Sequence, residues 1–134
     1  MKLPEHIAAR IAETIASLSP QQPHHVDWEA RQHGAIALMG TIGSVWLLRP
    51  DGALFDVDSD FGKPLTPLPC RLHITAIAVG CERYPWLREL LPARPANAPD
   101  CPVCGGRGRI AVSGSSGAGV ICEPCQALGW MSPA

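Results

Sequence analysis

Ile7, Ile11, Ile15 and Leu18 recur every three or four residues between Pro4 and Leu18, the spacing that lines one face of an α-helix. Glu5, Arg10, Glu13 and Ser17 fall on the opposite face, and Ser19-Pro20 with Pro23 stops the run, so an amphipathic N-terminal helix of about four turns is predicted. Gln21 to His33 is polar and reads as a connecting loop or irregular turn. The pattern then changes period. Val45 to Arg49 and Ala53 to Val57 flank Pro50-Asp51-Gly52, a turn tripeptide that supplies a fixed φ and a position for φ > 0. A β-hairpin is predicted over residues 44–58, with a preceding strand at Ala35 to Met39, turned at Gly40 to Gly43, completing a small antiparallel meander. Asp58 to Pro69, rich in proline, reads as a loop.

Beyond Leu72, Ile74, Ile77, Ala78 and Cys81 precede Tyr84-Pro85-Trp86-Leu87 and Leu90-Leu91. One or two short helices follow from this spacing, with Pro85 at the start of the second, although Ile74 to Val79 also suits a strand. Pro92 to Pro99 carries three prolines, three alanines and no large apolar side chain, and reads as a linker. The expected organisation is a small α+β domain over residues 1–95 and a cysteine-bearing unit over residues 96–134.

Charge narrows the range of partners little. Eleven basic and twelve acidic side chains give a net charge of −1, without blocks of either sign, so no field directs the 134-residue chain to nucleic acid or an anionic membrane. Nine of the eleven basic residues are Arg and Ala, Pro and Gly abound, a bias that suggests GC-rich, bacterial coding. Residues 1–10 lack the basic and apolar regions of a signal peptide, and the weakly polar run from Ala35 to Leu48 is short and interrupted by Gly40 and Gly43. A cytoplasmic protein with no membrane span is expected. In such a reducing compartment, six cysteines with four of them paired at two-residue gaps point to metal before disulfides.

Those pairs are Cys101-Pro-Val-Cys104-Gly-Gly-Arg-Gly108 and Cys122-Glu-Pro-Cys125-Gln-Ala-Leu-Gly129, followed by Trp130. Two pairs on tight turns offer four thiolates to one ion, the closed donor set of a structural zinc site. Glycines after each pair let the chain turn back so that amides face the sulfurs. Between the pairs, Arg109 to Val112 and Val120-Ile121 predict a hairpin with a flexible tip at Ser113 to Gly119. A thioredoxin-like role would need the first pair to open a helix, and glycines stand there instead.

Cys101 to Gly108 resembles the Cys-x-x-Cys-x-Gly-x-Gly repeat of the DnaJ-type cysteine-rich zinc finger, and Cys122 to Gly129 resembles it with Ala127 in place of the first glycine. The likeness covers about 30 residues. In that family two pairs of repeats bind two zinc ions, so one pair here implies one Zn2+, held by Cys101, Cys104, Cys122 and Cys125. No His-Pro-Asp tripeptide is present, so the resemblance implies no J-domain and no chaperone activity. The Cys-Pro-x-Cys-Gly knuckle is also similar to those of zinc ribbons, which serve nucleic-acid and protein binding alike.

Elsewhere the chemistry is sparse. His24, His25 and His33 with Asp27 could form a metal or acid-base cluster, and Asp56, Asp58 and Asp60 a cation loop, although no Glu follows at EF-hand spacing. Cys70 and Cys81 belong to no Cys-x-x-Cys unit; with His73 they would need a further ligand to bind metal. Phosphate-loop, dinucleotide, His-Glu-x-x-His and Gly-x-Ser-x-Gly motifs are missing. The expectation is therefore a non-enzymatic protein-interaction module of inhibitor, immunity or adaptor type, without catalytic residues. Of the tryptophans, Trp46 and Trp86 are assigned to the core, while Trp130 is the first candidate for an interface anchor. The alternatives are a nucleic-acid-binding ribbon using Arg107 and Arg109 with Arg94, and a small enzyme using the His and Asp residues.

Overall fold

In the computed structural model, described over residues 2–18, 25–39, 45–57, 65–68, 73–110 and 120–131, the alternation of the strands places helices on both faces of one sheet. His24, Asp58, Asp60, Cys70, the turn at Gly40 to Gly43 and the hairpin tip at Ser113 to Gly119 lie outside these residues. The sheet runs β1 (Ile36–Met39), β2 (Val45–Leu48), β3 (Leu54–Val57) and β4 (Thr66–Pro67), with successive strands antiparallel neighbours. Its register pairs Trp46 with Asp56 and Leu48 with Leu54, as a turn over Pro50-Asp51-Gly52 requires. There Gly52 takes φ 90°, its N–H donates to the Arg49 carbonyl, and Asp51 Oδ1 accepts from the Ala53 amide at 2.9 Å.

Ile36, Leu38, Trp46, Leu48 and Leu54 point to one face, where they meet Ile7 and Ile11 of α1 (Glu5–Ala16) and Ile77 of α3 (Ile74–Gly80). Ile11, Leu38, Leu48 and Ile77 are completely buried. Each such side chain contributes about 1.5–3 kcal/mol relative to exposure. α1 begins after Pro4, whose carbonyl accepts from Ile7 and Ala8, and it ends where Ser17 Oγ turns back to the Thr14 carbonyl. A 3-10 helix at Pro85–Leu90 follows α3 with Pro85 in its first turn, and Leu87 locks it to the core. The strand reading of Ile74 to Val79 is thus replaced by a helix: His73 caps it, Nδ1 accepting from the Ala76 amide at 3.2 Å.

The opposite sheet face differs from expectation. The polarity of Gln21 to His33 predicts a loop, but α2 (His25–Gln32) occupies most of it. Ala30 is wholly buried against Ala37, Leu47 and Val57. The helix ends in a left-handed cap: Gly34 has φ 68°, its N–H donates to the Arg31 carbonyl and that of Ala35 to the Ala30 carbonyl. β4 is the second correction, since the proline-rich loop contributes a short strand whose Thr66 and Pro67 pair with Asp56 and Phe55. Proline is tolerated at this edge position, where no further strand among the described residues pairs with it.

Pro92 to Pro99 forms neither helix nor strand and is exposed except at Ala98. That residue is buried at a turn, its amide donating to the Pro95 carbonyl at 3.0 Å.

Candidate metal centre

The C-terminal hairpin, β5 (Arg109–Ile110) with β6 (Val120–Ile121), closes the two cysteine turns on each other. Cys101 Sγ lies 3.7 Å from Cys122 Sγ and Cys104 Sγ 3.7 Å from Cys125 Sγ, with all four sulfurs mutually within 4.8 Å and buried. A disulfide needs about 2.05 Å between sulfurs. A tetrahedron with metal–sulfur bonds of about 2.3 Å has edges of about 3.75 Å. The spacing therefore fits four thiolates around one metal ion, and the four side chains leave no ligand position for water or substrate.

The backbone repeats the same device twice. Gly108 N–H points to Cys104 Sγ at 3.2 Å, and Gly129 N–H to Cys125 Sγ at 3.4 Å. The amide of Cys101 donates to the Gly129 carbonyl and that of Cys122 to the Gly108 carbonyl, each at 3.0 Å. Each knuckle thus supports its own sulfur and closes on its counterpart. Amides aimed at sulfur favour thiolate, the form that binds metal.

Close approach explains the terminal glycines. A Cβ on Gly108 would stand 2.5 Å from the Ala127 carbonyl oxygen, and one on Gly129 2.6 Å from that of Gly106. Where the first knuckle has Gly105 and Gly106 with positive φ, the second has Gln126 at 54° and Ala127 at 66°. The departure at Ala127 from the glycine pattern therefore leaves the turn unchanged but places non-glycine residues in a left-handed conformation.

Crowding divides the thiols. Burial pushes Cys122 up to about 12, helped by the neighbouring sulfurs and opposed by a backbone amide at Cys125. Cys125 is raised for the same leading reason. At Cys104 burial also pushes upward, but the Gly108 amide and hydrogen bonds from the other thiols outweigh it and bring the value down to about 6. Cys104 ionises readily, and a cation is needed to draw protons from Cys122 and Cys125.

The other candidate residues take separate places. Arg109 meets the Glu82 carboxylate, Nε to Oε1 at 2.7 Å, and Arg94 binds Asp100 at 2.8 Å and the Ala98 carbonyl at 3.0 Å. Arg107 stays exposed. Asp27 is buried, and both carboxylate oxygens accept from Arg83 at 2.7 Å, while His24 and the His25 side chain lie outside the described residues. His33 is half-buried, with its carbonyl accepting from Arg49, while His73 caps α3 and His6 pairs with Glu89. Asp56 is exposed on β3. Cys81 is half-buried, and burial raises its thiol above the usual value against the pull of Arg88. Among the described residues, the four cysteines are the one group of three or more His, Cys, Asp or Glu side chains close enough to share a metal.

Trp46 is buried as expected, but Trp86 is only partly so. Trp130 is half-buried, bridges to Asp100 through the backbone, and lines a cleft with Trp86. Sequence reasoning missed that cleft because its walls come from residues at opposite ends of the chain. Among the described residues, no helix is long and apolar enough to cross a membrane. No protein-family model matches the chain, and neither the curated proteins nor the solved structures yield a match.

Proposed function

We propose that this chain is a cytosolic, non-enzymatic protein-interaction module in which one structural Zn2+ on Cys101, Cys104, Cys122 and Cys125 folds the unit at residues 96–134 onto a domain at residues 1–95. The closed set of four buried sulfurs, two of its edges at 3.7 Å and all within 4.8 Å, carries this reading. Zinc suits such a set because it accepts four thiolates without a geometric preference of its own. A centre with every position filled by protein supports structure, and a small platform stabilised in this way suits an inhibitor, immunity or adaptor protein.

A nucleic-acid partner draws less support, since Arg109 and Arg94 are engaged by Glu82 and Asp100, and one exposed Arg107 is a thin footprint for a phosphate backbone. An enzyme built on the histidines with Asp56, Asp58 or Asp60 draws less again: of these carboxylates Asp56 lies within the described residues and is exposed on β3, and the nearby Asp27 is held at both oxygens by Arg83.

Native mass spectrometry before and after chelation, paired with affinity capture from the source cells, tests the proposal. The expected result is one zinc per chain and a captured protein that a Cys101→Ser, Cys122→Ser variant fails to hold. A metal-free chain with Cys-x-x-Cys disulfides, or capture of nucleic acid alone, would overturn it.

A further inference from the structure

The second cysteine turn does more than complete the metal site. Ala127, Leu128 and Trp130 form one wall of a cleft of about 1070 Å³, faced by Ile7 and Arg10 of α1 and by Trp86 and Arg88 of the 3-10 helix. Partly apolar walls and two indoles suit an apolar side chain from a partner, since tryptophan concentrates binding energy at interfaces.

The charges in this cleft are unbalanced. Arg10, Arg88 and Arg94 line it against the single carboxylate of Glu89, which faces His6. Arg94 is taken by Asp100, whereas Arg10 and Arg88 have no carboxylate partner among the described residues. The Arg10 guanidinium carbon lies 5.7 Å from the Trp86 ring centroid. A guanidinium resting over an indole keeps its N–H edge available to a carboxylate, and stacking restrains the long side chain beforehand.

We propose that this cleft binds an acidic peptide segment of a partner protein, with a carboxylate at Arg10 and Arg88 and an apolar side chain between Trp86 and Trp130. The volume of about 1070 Å³ lies just above the range usual for small ligands, roughly 300–1,000 Å³, and so leaves room for a peptide segment. No glycine-rich turn of backbone amides lines it to cradle a phosphate, which favours a peptide over a nucleotide. Because the wall at Ala127 to Trp130 directly follows Cys125, zinc loading assembles one wall of the binding site. This rests on the interaction-module reading and names the partner's chemistry.

Fluorescence anisotropy on the zinc-loaded full chain tests it, using a labelled short peptide that alternates Glu with Leu and its counterpart with Lys for Glu. The expected result is saturable binding of the acidic peptide alone, weakened about tenfold by Arg10→Glu with Arg88→Glu. Arg10→Gln with Arg88→Gln should give a smaller loss, Trp130→Ala should weaken binding, and chelation should abolish it. Arg10 and Arg88 are exposed, so far-UV circular dichroism should be unchanged in both charge variants. Equal binding of the two peptides, no binding of either, no effect of the charge variants, or displacement by AMP with no effect of Trp130→Ala would each overturn the cleft assignment. A captured cellular protein that the charge-reversed chain still holds would overturn it too, while leaving the interaction-module reading intact.

Discussion

Arg83, just beyond the end of α3, reaches Asp27 of α2 and also donates to the carbonyl of Ala37 on the edge strand β1, at 3.2 Å. The ion pair joins the helices on opposite faces of the sheet and covers an edge that would otherwise offer its backbone to another chain. Hydrogen bonding to Asp27 raises the Arg83 value despite burial, so this cation stays charged throughout the accessible pH range.

Asp27→Ala should therefore destabilise the core by about 2–3 kcal/mol, less than the full cost of breaking a buried pair because Arg83 is partly exposed. Urea unfolding followed by tryptophan fluorescence checks it. The metal content should not change. If instead the variant unfolds normally, the pair contributes little to holding α2 in place.

The knuckle glycines yield opposite predictions from neighbouring positions. Gly108→Ala should destabilise the metal hairpin by about 3 kcal/mol or more, combining left-handed strain with a Cβ pressed on the Ala127 carbonyl. Ala127→Gly should strengthen it modestly, because the left-handed cost of about 1–2 kcal/mol exceeds the entropic cost of glycine, about 0.5–1 kcal/mol. Zinc competition against a colorimetric chelator measures both, with weaker retention in the first and tighter retention in the second.

Acid should release the metal in a defined window. A thiol lowered from 9.0 to about 6, as at Cys104, adds fully to stability above the ordinary value, adds progressively less as pH falls, and adds nothing below about 6. A bound metal ion extends the same sign to the thiols that burial raises, since it binds them only as thiolates. Retention at neutral pH and progressive release as acid protonates the thiolates are expected in the same chelator assay.

Chelation at neutral pH should likewise unfold residues 99–131 while the signal from the sheet core persists. Circular dichroism and tryptophan fluorescence, recorded through the chelator titration, check it; loss of both signals together would show that the two units share one folding transition.

The elements most legible in sequence are those whose signal is local. Ile7 and Ile11 on a helical period, and the alternation on either side of Pro50-Asp51-Gly52, specify their faces without reference to distant residues. The cysteine cluster is equally readable, because a short turn confines each sulfur pair. α2 is harder to read: it buries little beyond Ala30, and its anchor, Arg83, lies 56 positions from Asp27. Val26 and Ala30 at helical spacing, followed by Gly34 as a terminator, are the available signals. Arg109 cannot be placed from sequence either, since its pairing with Glu82 depends on how the hairpin lies against the end of α3.

Ile121 adjoins Cys122 and packs against the main core, so the metal site and the core are linked through consecutive residues. This sets an order of assembly during synthesis. The first knuckle leaves the ribosome after the sheet and helices and before the second, and it can hold an ion by two sulfurs, but its other ligands lie 21 positions further along. Closing that ring draws Ile121 toward helices that have already been made, so metal capture is a late step that seals a preformed core.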